Sequence, residues 1–284
     1  MKKHFTTILL FVILIAGLSL ILYPTVSDYW NSLVQTKAVT VYTEVVNTLE
    51  QEEYDRLLQE AADYNSDLRG FSDPWNPTAE QHARYTSVLD VTGSGVMSKL
   101  EIPAINLSLP IYHTTEENVL QVAVGHVEGS SLPVGGEGTH CVLSGHRGLP
   151  SARLFTDLDK LAVGDVFTLC TLKEVLTYEV DQIRIVMPQE TRDIQLVPGE
   201  DYCTLVTCTP SGVNTHRLLV RGHRIENAED ARIVRLTSDA VQVDPLLVAP
   251  VVAVPLLLLL LIWFLTEDNW RAERKKETPK GEEK

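Results

Sequence analysis

One cysteine, one histidine and one arginine stand where their side chains could act together. Cys208 ends the apolar run TLVTC and is followed directly by a Thr-Pro-Ser-Gly turn. His146 stands in LSGHRGLP, where a β-type run enters a glycine-rich turn, and Arg217 begins the run after the Cys208 turn. An imidazole or guanidinium stabilises a thiolate, and a guanidinium can hold a carbonyl oxygen as it gains negative charge. The set indicates nucleophilic catalysis by a cysteine.

The other cysteines have structural interpretations. A free cysteine is commonly a small buried apolar residue, and we expect this of Cys141, Cys170 and Cys203. Oxidation is the alternative for a cysteine on the outer face of a cell. Cys203 and Cys208 cannot pair, because residues five apart on one strand face opposite sides. The cysteines and histidines lack zinc-type spacing, so neither a metal nor another cofactor is expected.

The sequence pattern around these residues differs from the pattern of the segments that precede them. Residues 96–226 alternate short β-type runs with Gly, Pro and Asn, a pattern that predicts a closed or partly closed, mainly β barrel. Residues 27–65 are rich in Glu and Gln, with apolar residues three and four apart, which predicts helix. The stretch GFSDPWNPT at 70–78 contains two prolines and interrupts any helix.

Two uncharged apolar segments, 5–22 and 246–265, lie near the ends of the chain. Each is long enough to cross the hydrocarbon core of a membrane as a helix. Lys and Arg flank both segments on their terminal sides, so both termini should face the cytoplasm and the middle should lie outside. A cleaved signal peptide is the alternative for the first segment, and a buried core helix for the second.

These patterns divide the chain into six parts. We expect an N-terminal anchor at 1–23, a helical region at 24–95, a barrel at 96–226, a juxtamembrane linker at 227–245, a second transmembrane helix at 246–265 and a tail at 266–284. The formal charge of −14 argues against nucleic acid as a partner, because polyanions are repelled.

The run TLVTC resembles the TLxTC signature of the sortases, membrane-bound cysteine transpeptidases of Gram-positive bacteria. The resemblance covers roughly residues 99–224 and includes an upstream His146 and a downstream Arg217. EIPAINLSLPIYH and the segment GHVEGSSLPVGGEGTHC look like class C, the pilus-building branch. Class C enzymes typically have a second membrane helix and an N-terminal lid with an Asp-Pro-aromatic motif. Asp73, Pro74 and Trp75 match that motif.

The resemblance implies an eight-stranded sortase barrel and a role for each matched residue. Cys208 would be the nucleophile, His146 the general acid and base, and Arg217 the group that stabilises the oxyanion or grips the substrate. In the lid, Asp73 would contact Arg217 and Trp75 would cover Cys208. Weaker substrate-binding candidates are Thr207 and His126.

The implied substrates are pilins with an LPxTG-type sorting signal, cleaved between Thr and Gly, and the acceptor is a lysine on the next pilin. One alternative is a sortase that anchors proteins to the amine of a peptidoglycan cross-bridge. Another is a membrane-bound scaffold without catalysis. Hydrolysis of the thioester by water would be a side reaction of the same site.

Overall fold

The computed structural model describes residues 2–227, with side chains from residue 13 onward. The predicted linker beyond residue 227, the predicted helix at 246–265 and the tail at 266–284 lie outside the described residues. The chain divides into two compact units. The described part of one unit is residues 2–25, and the other unit begins at Val26 and contains the barrel.

Three helices precede the barrel: α1 (Lys2–Thr48), α2 (Gln51–Leu68) and α3 (Ala79–Ser87). By length and composition, α1 could cross a membrane. The sequence predicted an anchor that ends at residue 23, but α1 continues through Pro24. An internal proline removes one backbone hydrogen bond, which a long membrane helix can tolerate. The predicted helix at 27–65 is instead broken between α1 and α2, where Glu50 has an extended backbone.

Eight strands close into one barrel, as the resemblance implied. They are β1 (Val96–Ile102), β2 (Leu107–Tyr112), β3 (Val124–His126), β4 (Thr139–Ser144), β5 (Val166–Thr171), β6 (Glu174–Val186), β7 (Asp201–Thr209) and β8 (His216–Ile225). Their order around the barrel is β1-β2-β3-β4-β7-β8-β6-β5. A four-residue helix, α4 (Glu117–Leu120), precedes β3, and 3-10 turns occur at Pro103–Ile105, Leu158–Lys160 and Arg192–Ile194.

Side chains of β7 alternate between the barrel interior and its outer face. Cys203, Leu205 and Thr207 are buried, whereas Val206 and Cys208 are partly exposed. Successive side chains on a strand point to opposite faces, so the alternation leaves Cys208 on the outer face. The interior is filled by fully buried apolar residues from several strands, among them Leu100, Ile102, Phe167, Leu169, Tyr178 and Val220.

The helix α2 is fixed to the segment between β3 and β4. Its apolar face follows helical spacing, with Leu57, Ala61 and Tyr64 buried. The Asn65 side chain donates to the carbonyl of Leu132 (3.2 Å) and accepts from its backbone N–H (2.7 Å). These paired bonds give each polar end of a buried amide a partner, so they hold the segment against α2.

The part of α1 that follows Val26 is hydrogen-bonded to barrel loops. The Asn31 side chain donates to Ser151 O (2.8 Å), and Asp28 accepts from the Arg153 backbone (2.8 Å). Both partners lie in the connection between β4 and β5, the connection that also carries His146. The helix is therefore tied to the loop that follows β4.

Candidate active site

The pairing of β7 with β8 brings Cys208 and Arg217 together. The two strands are antiparallel, and Cys208 lies directly opposite Arg217. Side chains of directly opposed residues point to the same face, with their Cβ atoms about 4.5–5.5 Å apart. The thiol and the guanidinium therefore share one patch of the outer surface.

The pairing of β4 with β7 brings His146 to the same end of the barrel. These strands are parallel, and Ser144 lies opposite Val206. Two residues further along each chain stand His146 and Cys208. The side chain of His146 is 28% exposed. Cys, His and Arg thus come from three neighbouring elements, as nucleophile, base and anion-holding group would require.

Gly145 is the first residue after β4, and its contacts fix the position of the backbone that leads to His146. Its N–H donates to the carbonyl of Val206 (3.1 Å), and a Cβ at this position would lie 2.7 Å from the ring of Phe155. The backbone N–H of Phe155 in turn donates to the carbonyl of His146 (3.0 Å). Only glycine fits at this position, because the ring of Phe155 occupies the space that a side chain on residue 145 would need.

Thr207 is buried at 2% exposure, and its hydroxyl donates to the carbonyl of Gly145 at 2.8 Å. The hydroxyl is therefore already engaged inside the barrel, and the substrate-binding role of Thr207 stays a prediction. The bond joins the residue before Cys208 to the residue before His146.

The predicted contact between Asp73 and Arg217 is absent from the described residues. The carboxylate of Asp73 accepts from the backbone of Trp75 (3.3 Å) and the side chain of Asn76 (2.8 Å). The guanidinium of Arg217 donates to the carbonyls of Asn214 (3.2 Å) and His216 (3.1 Å). Aspartate commonly closes a local turn in this way, which explains why it is not available to the arginine.

The predicted lid packs against Gly129, in the connection between β3 and β4. Gly129 has φ +95°, and a Cβ there would lie 2.3 Å from Pro74 O and 3.0 Å from Cε3 of Trp75. Next to it, the carboxylate of Glu128 lies at hydrogen-bond distance, 2.8 Å, from Nδ1 of His82 in α3. The lid is therefore docked on this connection, and coverage of Cys208 by Trp75 stays a prediction.

His126 lies inside the structure and is fully buried. Its Nδ1 is 3.0 Å from the hydroxyl of Tyr85, and its Nε2 is 2.8 Å from the carbonyl of Ser131. Both ring nitrogens are therefore occupied by protein groups. The placement does not bring His126 to the surface patch of Cys208, where its weaker predicted role would require it.

All four cysteines fall within the described residues, and none of them forms a disulfide bond there. Cys141 and Cys203 are buried, as expected, whereas Cys170 is partly exposed. Burial raises the pKa of the Cys203 thiol well above its ordinary value, so this thiol is a poor nucleophile. Cys208 differs from Cys203 by lying on the outer face of the same strand.

Sequence reasoning missed one residue beside the site. Glu117, in α4, places Oε2 3.9 Å from Nε2 of His146. No motif marks this glutamate, and two strands, β3 and β4, lie between it and His146 along the chain. Pairing of β3 with β4, in which Gly125 lies opposite Ser144, brings the two segments together.

The barrel matches known proteins in sequence and in structure. Residues 100–225 match the family described as the sortase domain. Sortase D of Bacillus subtilis (strain 168) is 34% identical over 129 residues, which cover 44% of this chain and 62% of that protein. The match thus spans less than two thirds of the length of this curated relative.

Solved structures match over a larger share of the chain. Sortase C1 from Streptococcus agalactiae is 51% identical with a TM-score of 0.65, covering 68% of this chain and 100% of that one. Clostridium perfringens sortase C, solved with the C-terminal cell wall sorting motif, is 44% identical with a TM-score of 0.60, covering 68% and 100%. The barrel, the matched domain and these identities together show that the chain belongs to the sortase family.

Proposed function

We propose that this chain is a membrane-anchored cysteine transpeptidase that joins pilin subunits. Its substrate is a pilin with an LPxTG-type sorting signal, and its acceptor is the lysine of another pilin. The strand register that sets Cys208 opposite Arg217, with His146 at the end of the adjoining strand, carries the proposal. Clostridium perfringens sortase C, which was solved with a sorting motif, supports the substrate class.

The proposed reaction has two half-reactions. The sulfur of Cys208 attacks the threonine carbonyl carbon, the bond to the glycine nitrogen breaks, and His146 protonates the departing amine. Arg217 stabilises the oxygen that carries negative charge in the tetrahedral intermediate. The lysine amine then attacks the thioester carbonyl carbon and gives a proton to His146, the sulfur leaves as a thiolate, and an isopeptide bond forms between the two pilins.

The lid and the membrane segments complete the proposal. Trp75 would limit access to Cys208 until a sorting signal displaces it, which would also keep water from the thioester. The apolar segments at 5–22 and 246–265 would hold both termini in the cytoplasm and the barrel outside. Support for the pilin branch comes from the position of the Asp-Pro-Trp motif between α2 and α3, next to the barrel.

The test combines the full chain in detergent micelles, an LPxTG-type peptide and a lysine-bearing pilin domain. We expect a peptide–pilin conjugate joined through the lysine side chain, and no conjugate with Cys208→Ala. A conjugate formed equally well by Cys208→Ala would refute the proposal. A product formed only with a cell-wall cross-bridge peptide, and never with the pilin, would favour wall anchoring instead.

A further inference from the structure

Glu117 presents a free carboxylate oxygen next to the ring of His146. Its side chain is 73% exposed, and its Oε2 is 3.9 Å from Nε2 of His146. That distance is longer than a hydrogen bond. One nitrogen atom placed between the two could nevertheless lie about 2.8–2.9 Å from both, which are ordinary hydrogen-bond distances.

The Glu117 carboxylate is hydrogen-bonded by the residue that follows α4, Gln121. The side-chain amide of Gln121 donates to Oε1, which leaves Oε2 directed towards His146. The helix itself is held at its far end, where the Gln35 side chain donates to the carbonyl of Val122 (2.7 Å). Among the described residues, no hydrogen bond is made to Oε2.

His146 offers the complementary half of this arrangement. Its Nε2 is buried and has no hydrogen-bond partner in the described part of the chain. A buried polar atom without a partner is rare in native proteins and calls for an explanation, of which a catalytic role is one. Oε2 of Glu117 and Nε2 of His146 could therefore both accept hydrogen bonds from one group that carries several N–H donors.

We propose that Glu117 binds the ammonium group of the acceptor lysine and delivers it to His146. The inference rests on the proposed function and adds the residue that recognises the second substrate. A lysine ammonium has three N–H donors, so it can bridge both atoms at once. Attraction between opposite charges favours a lysine over water, which has no charge to be attracted.

The bonds and protons balance as follows. The ammonium bound at Glu117 first loses one proton to solvent and becomes a nucleophilic amine. Its nitrogen then bonds to the thioester carbonyl carbon, and the bond from that carbon to sulfur breaks. The remaining excess proton passes from nitrogen to His146, and Cys208 leaves as a thiolate. The products are an amide and the free enzyme.

The experiment measures how the thioester divides between two nucleophiles and water. The full chain in micelles receives an LPxTG-type peptide with either a lysine-bearing peptide or hydroxylamine, which is uncharged at neutral pH. For Glu117→Gln we expect the ratio of lysine product to hydrolysis product to fall about twofold to fivefold, the range that an exposed ion pair supplies. The hydroxylamine ratio should stay at its original value.

Glu116→Gln is the matched control, because Glu116 is the exposed neighbour and forms no ion pair among the described residues. In Glu116→Gln, the ratios of lysine product and of hydroxylamine product to hydrolysis product should both equal those of the original chain. An equal fall with lysine and with hydroxylamine would overturn the inference, since Glu117 would then act only on His146. Unchanged ratios in Glu117→Gln would overturn it as well. Absence of a thioester from the unsubstituted chain would instead overturn the proposed function, so the two failures are distinguishable.

Discussion

Thr207 is the residue that ties the strand of Cys208 to the loop of His146. Its hydroxyl donates to the carbonyl of Gly145, while the N–H of Gly145 donates to Val206. Both polar groups of Gly145 are therefore held by the two residues before Cys208. At the residue scale, the relative position of thiol and imidazole depends on this one glycine and its partners.

Two substitutions of Thr207 distinguish the effect of its hydroxyl from the effect of its side-chain shape. Thr207→Val keeps the branched shape but leaves the buried carbonyl of Gly145 without its donor, so the free energy of unfolding should fall by about 1–3 kcal/mol. Thioester formation at Cys208 should slow, while Thr207→Ser should retain both properties. Chemical denaturation and intact-mass kinetics give the two readouts. Equal behaviour of Thr207→Val and the original chain would contradict the positioning role.

At the scale of elements, the connection between β3 and β4 is where the helices and the lid are attached. Asn65 of α2 bonds to Leu132, and His82 of α3 lies at hydrogen-bond distance from Glu128. The lid itself packs on Gly129. The two helices are thus fixed on either side of the lid, and the segment at 70–78 is the part left between them.

Gly129→Ala should displace the lid segment, residues 70–78, from the connection between β3 and β4. The new methyl group would overlap the carbonyl of Pro74, since the Cβ position is 2.3 Å from that oxygen. We expect Cys208 to react faster with a thiol reagent, measured by mass spectrometry of the alkylated chain. Gly164→Ala is the matched control, because φ is +97° there and nothing lies within 4 Å of its Cβ. Unchanged alkylation in Gly129→Ala would mean that the lid does not shield Cys208.

The sequence predicted elements better than contacts between them. Period-two runs and turn residues indicated the barrel, and the structure closes it with eight strands. The break between Thr48 and Gln51 was missed because residues 49 and 50 contain neither Gly nor Pro. The contact expected between Asp73 and Arg217 was wrong, since a local turn satisfies the aspartate. Glu117 became visible only through strand pairing, which spacing along the chain does not encode.

At the scale of the whole molecule, burial of His140 links stability to pH. Its Nδ1 is 2.8 Å from the carbonyl of Gln195, and its Nε2 is 2.7 Å from the hydroxyl of Thr204. Burial lowers the pKa of His140 below its ordinary value. The folded state therefore favours neutral imidazole, and the unfolded chain takes up the proton first as pH falls.

The free energy of unfolding should thus be highest above the unfolded-state pKa of about 6.5 and fall as pH drops below it. Denaturation at pH 7.5 and 5.5 measures the loss. His140→Gln should reduce the difference between the two pH values. A pH dependence that is identical in His140→Gln and in the original chain would contradict the assignment to His140.

The central claim is that Cys208 is the nucleophile, and intact-mass spectrometry of the full chain with an LPxTG-type peptide tests it most directly. The account predicts an added mass equal to the signal up to its threonine, located at Cys208, released by hydroxylamine and absent from Cys208→Ala. The partly exposed Cys170 serves as an internal comparison and should stay unmodified. An adduct on another residue, or one that survives Cys208→Ala, would contradict the account.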